Sequence, residues 1–159
     1  MKAKRSDRVS KLELDPIDWK ILRELQLNCR LSLAELGRRC QRTRMAILQR
    51  VERLEKAGII LGYSARVNAR ELGMLFTVSI RLSVHQDHVK ELSALLKARS
   101  EVSEWYVAPE PTPTFFIKAH FASLERLEKL DDSLAPFGIR HVSLVLSSPV
   151  EHRDIGQPM

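Results

Sequence analysis

The apolar residues of the first seventy positions recur at the spacing of short amphipathic helices. Asp15, Pro16 and Asp18 predict where the first helix begins. An aspartate can cap a helix, proline is tolerated at its first position, and a carboxylate is favoured near its positive end. The apolar stripe that follows at helical spacing consists of Ile17, Ile21, Leu22 and Leu25. We expect this helix to end at Asn28 and Arg30.

Two more helices, separated by a tight turn, are predicted between residues 32 and 58. Ser32 and Glu35 have the spacing of a capping box, which starts a short second helix. Its inward-facing residues are predicted to be Leu33, Leu36 and Cys40, with Cys40 acting as a small core residue. The pattern breaks at 41–42. Thr43 is then placed to cap a third helix, and Gly58 is placed to stop it.

The third predicted helix has one apolar and one polar face. Its apolar face carries Ile47, Val51 and Leu54, and its opposite face carries Met45, Gln49 and Arg53, flanked by Arg44 and Arg50. A short helix, a tight turn and a second helix with such a face fit the major groove of DNA. Arginine and glutamine there can pair with base edges, whereas Arg42 and Thr43 suit phosphates.

The residues after Gly58 predict a small β-wing. Apolar residues alternate around Gly62 from Ile59 to Val67, and Arg66 is placed to reach the DNA backbone beside the groove. The first half is therefore predicted to be a winged helix-turn-helix. The predicted DNA-binding residues are Arg42, Thr43, Arg44, Met45, Gln49, Arg50, Arg53 and Arg66.

The second half alternates strand and helix patterns in the order βαββαβ. The predicted strands cover 76–84, 102–108, 114–121 and 140–146, the middle two being antiparallel neighbours. The intervening helices are predicted to be capped by Asp87 and Ser123. This order gives a ferredoxin-like α+β domain, in which two helices cover one face of a four-stranded antiparallel sheet.

The charge is divided unevenly between these halves. The 159 residues carry a net charge of +6, but residues 1–70 hold 17 Lys and Arg against 8 Asp and Glu, whereas residues 71–159 hold 9 against 12. The first half is thus +9 and the second −3. A basic half joined to a mildly acidic one indicates that only the first half meets a polyanion.

The composition excludes several other classes of protein. Hydrophobic residues make up 44% of the chain, which argues against wholesale disorder. No apolar run approaches the ~20 residues of a membrane span, and the basic N-terminus lacks the apolar stretch of a signal peptide. Cys29 and Cys40 are too few for a disulfide framework and lack metal-ligand spacing. We therefore expect a cytoplasmic protein with no membrane partner, no metal and no cofactor, and no catalytic motif is present.

Several segments together resemble the Lrp/AsnC family, the leucine-responsive or feast/famine transcription regulators. They are Leu14-Asp15-Pro16-Ile17-Asp18, Arg30 to Leu36, and Gln49 to Tyr63. The resemblance implies a DNA-binding domain over 14–68 after a basic arm (1–13), a linker (69–74), an effector and oligomerisation domain over 75–151, and a tail (152–159). It also implies double-stranded DNA as partner, homodimers formed by sheet packing, higher oligomers such as octamers, and modulation by an amino acid.

Two segments depart from the family pattern. Residues 41–45 replace the usual glycine, apolar residue and Ser-Pro-Thr start, so the preferred DNA sequence is expected to differ. The loop at 107–115 lacks the usual Gly-Asp-x-Asp pattern and carries three prolines at alternate positions, which remove N–H donors. Either it binds a different small ligand or the chain has no effector. The candidate effector contacts are Ala108, Glu110, Thr112 and Thr114.

A second family resemblance supplies an enzyme alternative. The sirohaem decarboxylases share this two-domain plan and bind a tetrapyrrole through histidine and aromatic residues. Their counterparts here would be Tyr106, Phe115, Phe116 and His120. The characteristic loop histidine is absent, and an enzyme has no need of an arginine-rich recognition helix. We therefore predict a regulator and not an enzyme.

Overall fold

The computed structural model describes residues 12–109, 111–147 and 154–157. These residues form two compact units, the first comprising 12–66 with 154–157 and the second 67–147. Most of the predicted arm and tail lie outside the described residues. In the described part of the tail, the Ile155 N–H donates to Gln26 Oε1 (2.9 Å) and Gln26 Nε2 donates to the Ile155 carbonyl (3.1 Å). No described helix has the length and hydropathy that a bilayer crossing requires.

Three helices make up the first unit, as predicted: α1 (Pro16–Leu27), α2 (Leu33–Cys40) and α3 (Arg44–Lys56). Asp15 accepts hydrogen bonds from the N–H groups of Ile17 and Asp18, and the Asp18 carboxylate accepts from the Asp15 N–H. This reciprocal box satisfies donors that a helix start otherwise leaves unpaired. The predicted start of α1 is confirmed.

Ser32 caps α2 by accepting the Glu35 N–H (3.1 Å), which confirms half of the predicted capping box. The Glu35 carboxylate instead pairs with Arg38 and Arg39. The helices enclose a core that includes all three residues predicted for the apolar face of α3. Its buried members are Ile21, Leu36, Cys40, Ile47, Val51 and Leu54. Burial raises the pKa of the Cys40 thiol, in agreement with its predicted core role.

The predicted β-wing does not form in the described chain. The N–H groups of Ile59 and Ile60 both donate to the Leu54 carbonyl, at 2.9 and 3.2 Å, so these residues close α3 instead of starting a strand. Side chains 61–68 are all exposed, and residues 57–75 contain no strand. A two-stranded hairpin without a buried face is marginal in water. The alternation from Leu61 to Val67 is therefore not matched by strand pairing within the chain.

The second unit has the predicted βαββαβ order. Its strands are β1 (Phe76–Val84), β2 (Val102–Ala108), β3 (Thr114–Phe121) and β4 (Gly138–Leu144), and its helices are α4 (Val89–Lys97) and α5 (Leu124–Leu134). The strands form one antiparallel sheet in the order β2-β3-β1-β4. The predicted ferredoxin-like arrangement is confirmed.

Both helices pack on one face of this sheet. Alternate residues of β1 and β3 are buried there, including Val78, Ile80, Phe115 and Ile117. They pack against leucines of the two helices, including Leu92 of α4 and Leu130 of α5. Ser123 caps α5 as predicted. The predicted Asp87 cap is wrong: Asp87 lies inside a 3-10 turn (Gln86–His88) and pairs with His85, and the start of α4 has no side-chain cap.

Candidate nucleic-acid interface

The turn between α2 and α3 brings two backbone segments into close contact. Gln41 adopts the left-handed conformation (φ 54°, ψ 47°), and the Arg42 N–H donates to the Gly37 carbonyl (2.9 Å). A Cβ at Gly37 would lie 2.7 Å from the Arg42 carbonyl oxygen, so only glycine fits there without a backbone shift. Gln41 occupies a conformation that costs most L-residues about 1–2 kcal/mol. This turn sets the direction in which α3 leaves α2.

Exposed basic and polar side chains surround this turn. Arg38, Arg42, Thr43 and Arg44 line a shallow depression of about 480 Å³ together with Gln41, and all five are exposed. Thr43 caps α3 by accepting the Ala46 N–H (3.2 Å), which leaves its hydroxyl proton free to donate outward. The positive end of α3 opens at the same place, where backbone N–H groups favour an anion. The rim of the depression therefore carries donors suited to DNA phosphates and base edges.

Arg50 and Arg53 do not stand free on the outer face of α3. Arg50 Nη1 lies 2.7 Å from Asp15 Oδ2 and 2.8 Å from Asp18 Oδ1, and Arg53 Nη2 lies 2.6 Å from Asp18 Oδ2. Asp18 is fully buried, so these pairs join the start of α1 to the middle and end of α3. The carboxylates of α1 thus pair with both arginines, which the apolar periodicity did not predict, and contact of Arg50 and Arg53 with DNA stays a prediction.

The same contacts shift the protonation equilibria. The N–H of Asp18, followed by the Arg50 guanidinium, lowers the pKa of Asp15. The carboxylates of Asp15 and Asp18 raise the pKa of Arg50. Each shift favours the charged form of its group. Asp15, Asp18, Arg50 and Arg53 will together be called the α1–α3 ion cluster.

The remaining predicted DNA-binding residues are exposed. Met45 has 57% of its surface exposed, and Gln49 follows one helical turn later on the same face. Arg66 lies in the strandless segment after α3 and is also exposed. Tyr63, in the same segment, donates a hydrogen bond to Glu55 Oε1 (2.9 Å). Although half of the side chain is exposed, partial desolvation, followed by this contact with Glu55, raises the pKa of Tyr63 to about 12.

The predicted effector contacts sit around the turn between β2 and β3. Ala108 pairs with Thr114 across the strands. Thr114 is buried, and its hydroxyl donates to the Thr112 carbonyl (3.0 Å) and lies 3.3 Å from Ser83 Oγ. The Pro113 carbonyl accepts the Val84 N–H (2.9 Å). Glu110 lies outside the described residues. Effector binding at these positions stays a prediction.

The residues of the enzyme alternative are divided between the two faces of the sheet. Phe115 is buried on the helix-covered face, where its ring lies 5.6 Å from that of Trp105. Phe116 points to the opposite, open face and stacks on Tyr106 at 5.0 Å. His120 lies on the open face too, with Nδ1 3.0 Å from Thr77 Oγ1, and burial lowers its pKa. The four residues do not line a common site.

Comparison with known proteins shows which family the chain belongs to. A winged helix-turn-helix DNA-binding model matches residues 14–60. An uncharacterised transcriptional regulator of Pyrococcus furiosus is 43% identical over 84 residues, 53% of this chain and 54% of that protein. The leucine-responsive regulatory protein of Haemophilus influenzae is 30% identical over 130 residues, 80% of this chain and 78% of that protein. The chain belongs to the Lrp/AsnC family.

Solved structures of Lrp/AsnC proteins agree with this assignment. LrpC of Bacillus subtilis matches with a TM-score of 0.82 at 24% identity, covering 89% of this chain and all of that one, and shows the shared fold. A transcriptional regulator of Neisseria meningitidis, solved in complex with L-methionine, matches with a TM-score of 0.80 at 27% identity, covering 90% and 96%. These relatives are regulators, and none of the comparisons favours the enzyme alternative. The match to the Pyrococcus relative spans only about half of that protein.

Proposed function

We propose that this Lrp/AsnC protein regulates transcription by binding promoter DNA through α2, the turn and α3. The observation that carries the proposal is the exposed depression around Arg38, Arg42 and Arg44 at the positive end of α3. It combines guanidinium groups, a free hydroxyl proton and helix N–H groups, which are donors that bind DNA phosphates and base edges. Such a protein acts where the chromosome is, so we also propose a cytoplasmic location.

In this proposal, Arg42 and Thr43 hold the DNA backbone beside the groove. Arg42 is exposed, and its guanidinium donates to the neighbouring Gln41 carbonyl (2.9 Å). Arginines that neutralise phosphates release counterions, so binding is expected to weaken steeply as salt rises. Arg66 is proposed as a further backbone contact, on the strength of its exposure and charge.

We propose that the binding unit is a homodimer or a larger ring, formed through the open face of the sheet. Tyr106 is 58% exposed there and stacks on Phe116. Aromatic residues are enriched at interfaces between subunits. A two-fold dimer would place two copies of α3 in successive major grooves, about one DNA turn apart. An octamer is the larger assembly that the family resemblance implies.

For the β2–β3 loop, we propose that DNA binding does not depend on an amino acid. The three prolines lack N–H donors, and the Thr114 hydroxyl already has partners within the protein. An amino acid would therefore find few donors for its carboxylate here. The alternative, a different small ligand held by Ala108, Glu110 and Thr112, predicts that a metabolite mixture changes DNA affinity.

Fluorescence anisotropy with DNA from upstream of the chain's own gene tests the function. We expect specific binding whose affinity falls with salt, and the same affinity with and without an amino-acid mixture. Arg42→Ala should lower the salt slope by about one, whereas Arg126→Ala, an exposed arginine on α5, should not change it. Equal slopes for both variants would remove Arg42 from the interface. Failure to bind any DNA would contradict the proposed function.

A further inference from the structure

The arginines in and around α3 differ in whether another side chain already holds them. Arg38 pairs with Glu35 on its own helix. Within the α1–α3 ion cluster, the carboxylates of α1 pair with Arg50 and Arg53. Arg44 is the first residue of α3, is exposed, and makes no ion pair with any residue in the described ranges. Its guanidinium therefore has its planar set of donors available for an external acceptor.

The outer face of α3 also differs in charge between its N-terminal and C-terminal halves. Its N-terminal half presents Met45 and Gln49, both exposed and uncharged. Its C-terminal half presents Glu52, whose carboxylate pairs weakly with Lys56 at 3.8 Å. A carboxylate facing phosphates is unfavourable, whereas the N-terminus of a helix attracts them. The N-terminal half of α3 is therefore the part suited to lie deepest in a groove.

From these two observations, and resting on the proposed DNA binding, we infer that Arg44, Met45 and Gln49 recognise the bases and that Arg50 and Arg53 only position α3. In the major groove, arginine pairs with O6 and N7 of guanine and glutamine with N6 and N7 of adenine. Met45, between them in the sequence, offers an apolar contact for a thymine methyl group. The half-site then contains a guanine recognised by Arg44 and an adenine recognised by Gln49.

The helix geometry sets the distance between these two bases. Gln49 is five positions after Arg44, which is roughly 7.5 Å along the helix axis at about 1.5 Å per residue. Successive base pairs are about 3.4 Å apart. Because the two side chains also leave the helix about 140° apart, at about 100° per residue, the guanine and the adenine are expected about one to three base pairs apart in each half-site.

The experiment is selection of bound DNA from a random library, followed by affinity measurements on single-base variants of the selected site. Wild type should enrich a guanine and an adenine at this separation. Arg44→Ala should lose its preference at the guanine alone, a reduction of roughly 5- to 150-fold in discrimination. Gln49→Ala should lose its preference at the adenine alone. Arg44→Lys should keep the salt slope and weaken the guanine preference less than Arg44→Ala does, because lysine can still donate to guanine but lacks the planar fork of donors.

Arg42→Ala is the matched control, since it removes the same charge two residues away and is assigned to phosphate. It should weaken all sequences to a similar extent and leave the selected site unchanged. If Arg44→Ala and Gln49→Ala select the wild-type site with unaltered preference at every position, the inference is overturned while DNA binding stands. If wild type enriches no sequence, the inference and sequence-specific regulation are both overturned.

Discussion

Asp18 Oδ2 accepts a hydrogen bond from Arg53 Nη2 at 2.6 Å, although the two residues are 35 positions apart in the chain. Asp18 is fully buried in the first turn of α1, and Arg53 lies near the end of α3. The same carboxylate accepts from Arg50 and from the Asp15 N–H. One buried side chain therefore completes the start of α1 and fixes α3 against it.

Asp18→Ala is expected to lower the free energy of unfolding of the first unit by about 2–4 kcal/mol. The substitution leaves two guanidinium groups without this acceptor and removes one half of the capping box. Urea unfolding followed by the fluorescence of Trp19 measures the effect, in a Trp105→Phe background that removes the other tryptophan. Glu52→Ala, which breaks an exposed pair, should change stability by less than about 0.5 kcal/mol. Equal effects of the two would contradict a structural role for Asp18.

Acid should weaken the α1–α3 ion cluster through Asp15. Its folded-state pKa is below the ordinary value of 3.8, so its contribution to stability is present above that value and is lost as pH falls through the folded pKa. Asp15→Asn keeps a capping oxygen but does not titrate in this range. We expect wild type to be the more stable at pH 7 and the two proteins to converge as pH falls through the folded-state pKa of Asp15. Urea unfolding across this range would refute the role of Asp15 if the difference stayed constant.

Gln41→Gly is expected to stabilise the first unit by about 0.5–1 kcal/mol. Relief of the left-handed conformation outweighs the extra backbone entropy that glycine loses on folding. The neighbouring Gly37→Ala should have the opposite sign, because its new Cβ would meet the Arg42 carbonyl. Thermal unfolding of both variants, monitored by Trp19 in the same background, tests the pair. Destabilisation by Gln41→Gly would indicate that the glutamine side chain makes a compensating contact.

Tyr106→Lys is expected to weaken self-association at least tenfold, if the open sheet face forms the dimer. A charge placed beside Phe116 would have to be buried without a partner. Ala94→Lys introduces the same charge on exposed α4, on the other side of the sheet, and serves as the control. Sedimentation equilibrium of the two variants gives their dissociation constants. Similar constants for Tyr106→Lys and wild type would exclude this face as the interface.

Helix starts and strand faces were predictable because each depends on residues close in sequence. A cap needs one side-chain oxygen and an N–H two or three residues later, as at Asp15, Ser32, Thr43 and Ser123. A strand with one buried face needs only alternation, as along β1 and β3. The exception is the predicted cap at Asp87, which is wrong because a 3-10 turn contains Asp87 and α4 begins only after that turn.

The partners of the arginines in α3 could not be predicted from the sequence. The 100° periodicity correctly placed Ile47, Val51 and Leu54 inward, and it left Arg50 and Arg53 outside that apolar stripe. This periodicity contains no information about which side chains of another helix lie beside α3. Nothing in the spacing of Asp15 and Asp18 from these arginines, 32 to 38 residues, marks them as partners.

The sequence by itself determined the three-helix and βαββαβ orders, the family and the basic surface of the first half, because these follow from local periodicity, capping and composition. The tertiary structure decided which arginines of α3 pair with carboxylates of α1, that residues 61–68 pair with no strand in the described chain, and that Tyr106 and Phe116 share a face without Phe115. These outcomes depend on contacts between residues distant in sequence, whose side-chain distances only the packed fold establishes.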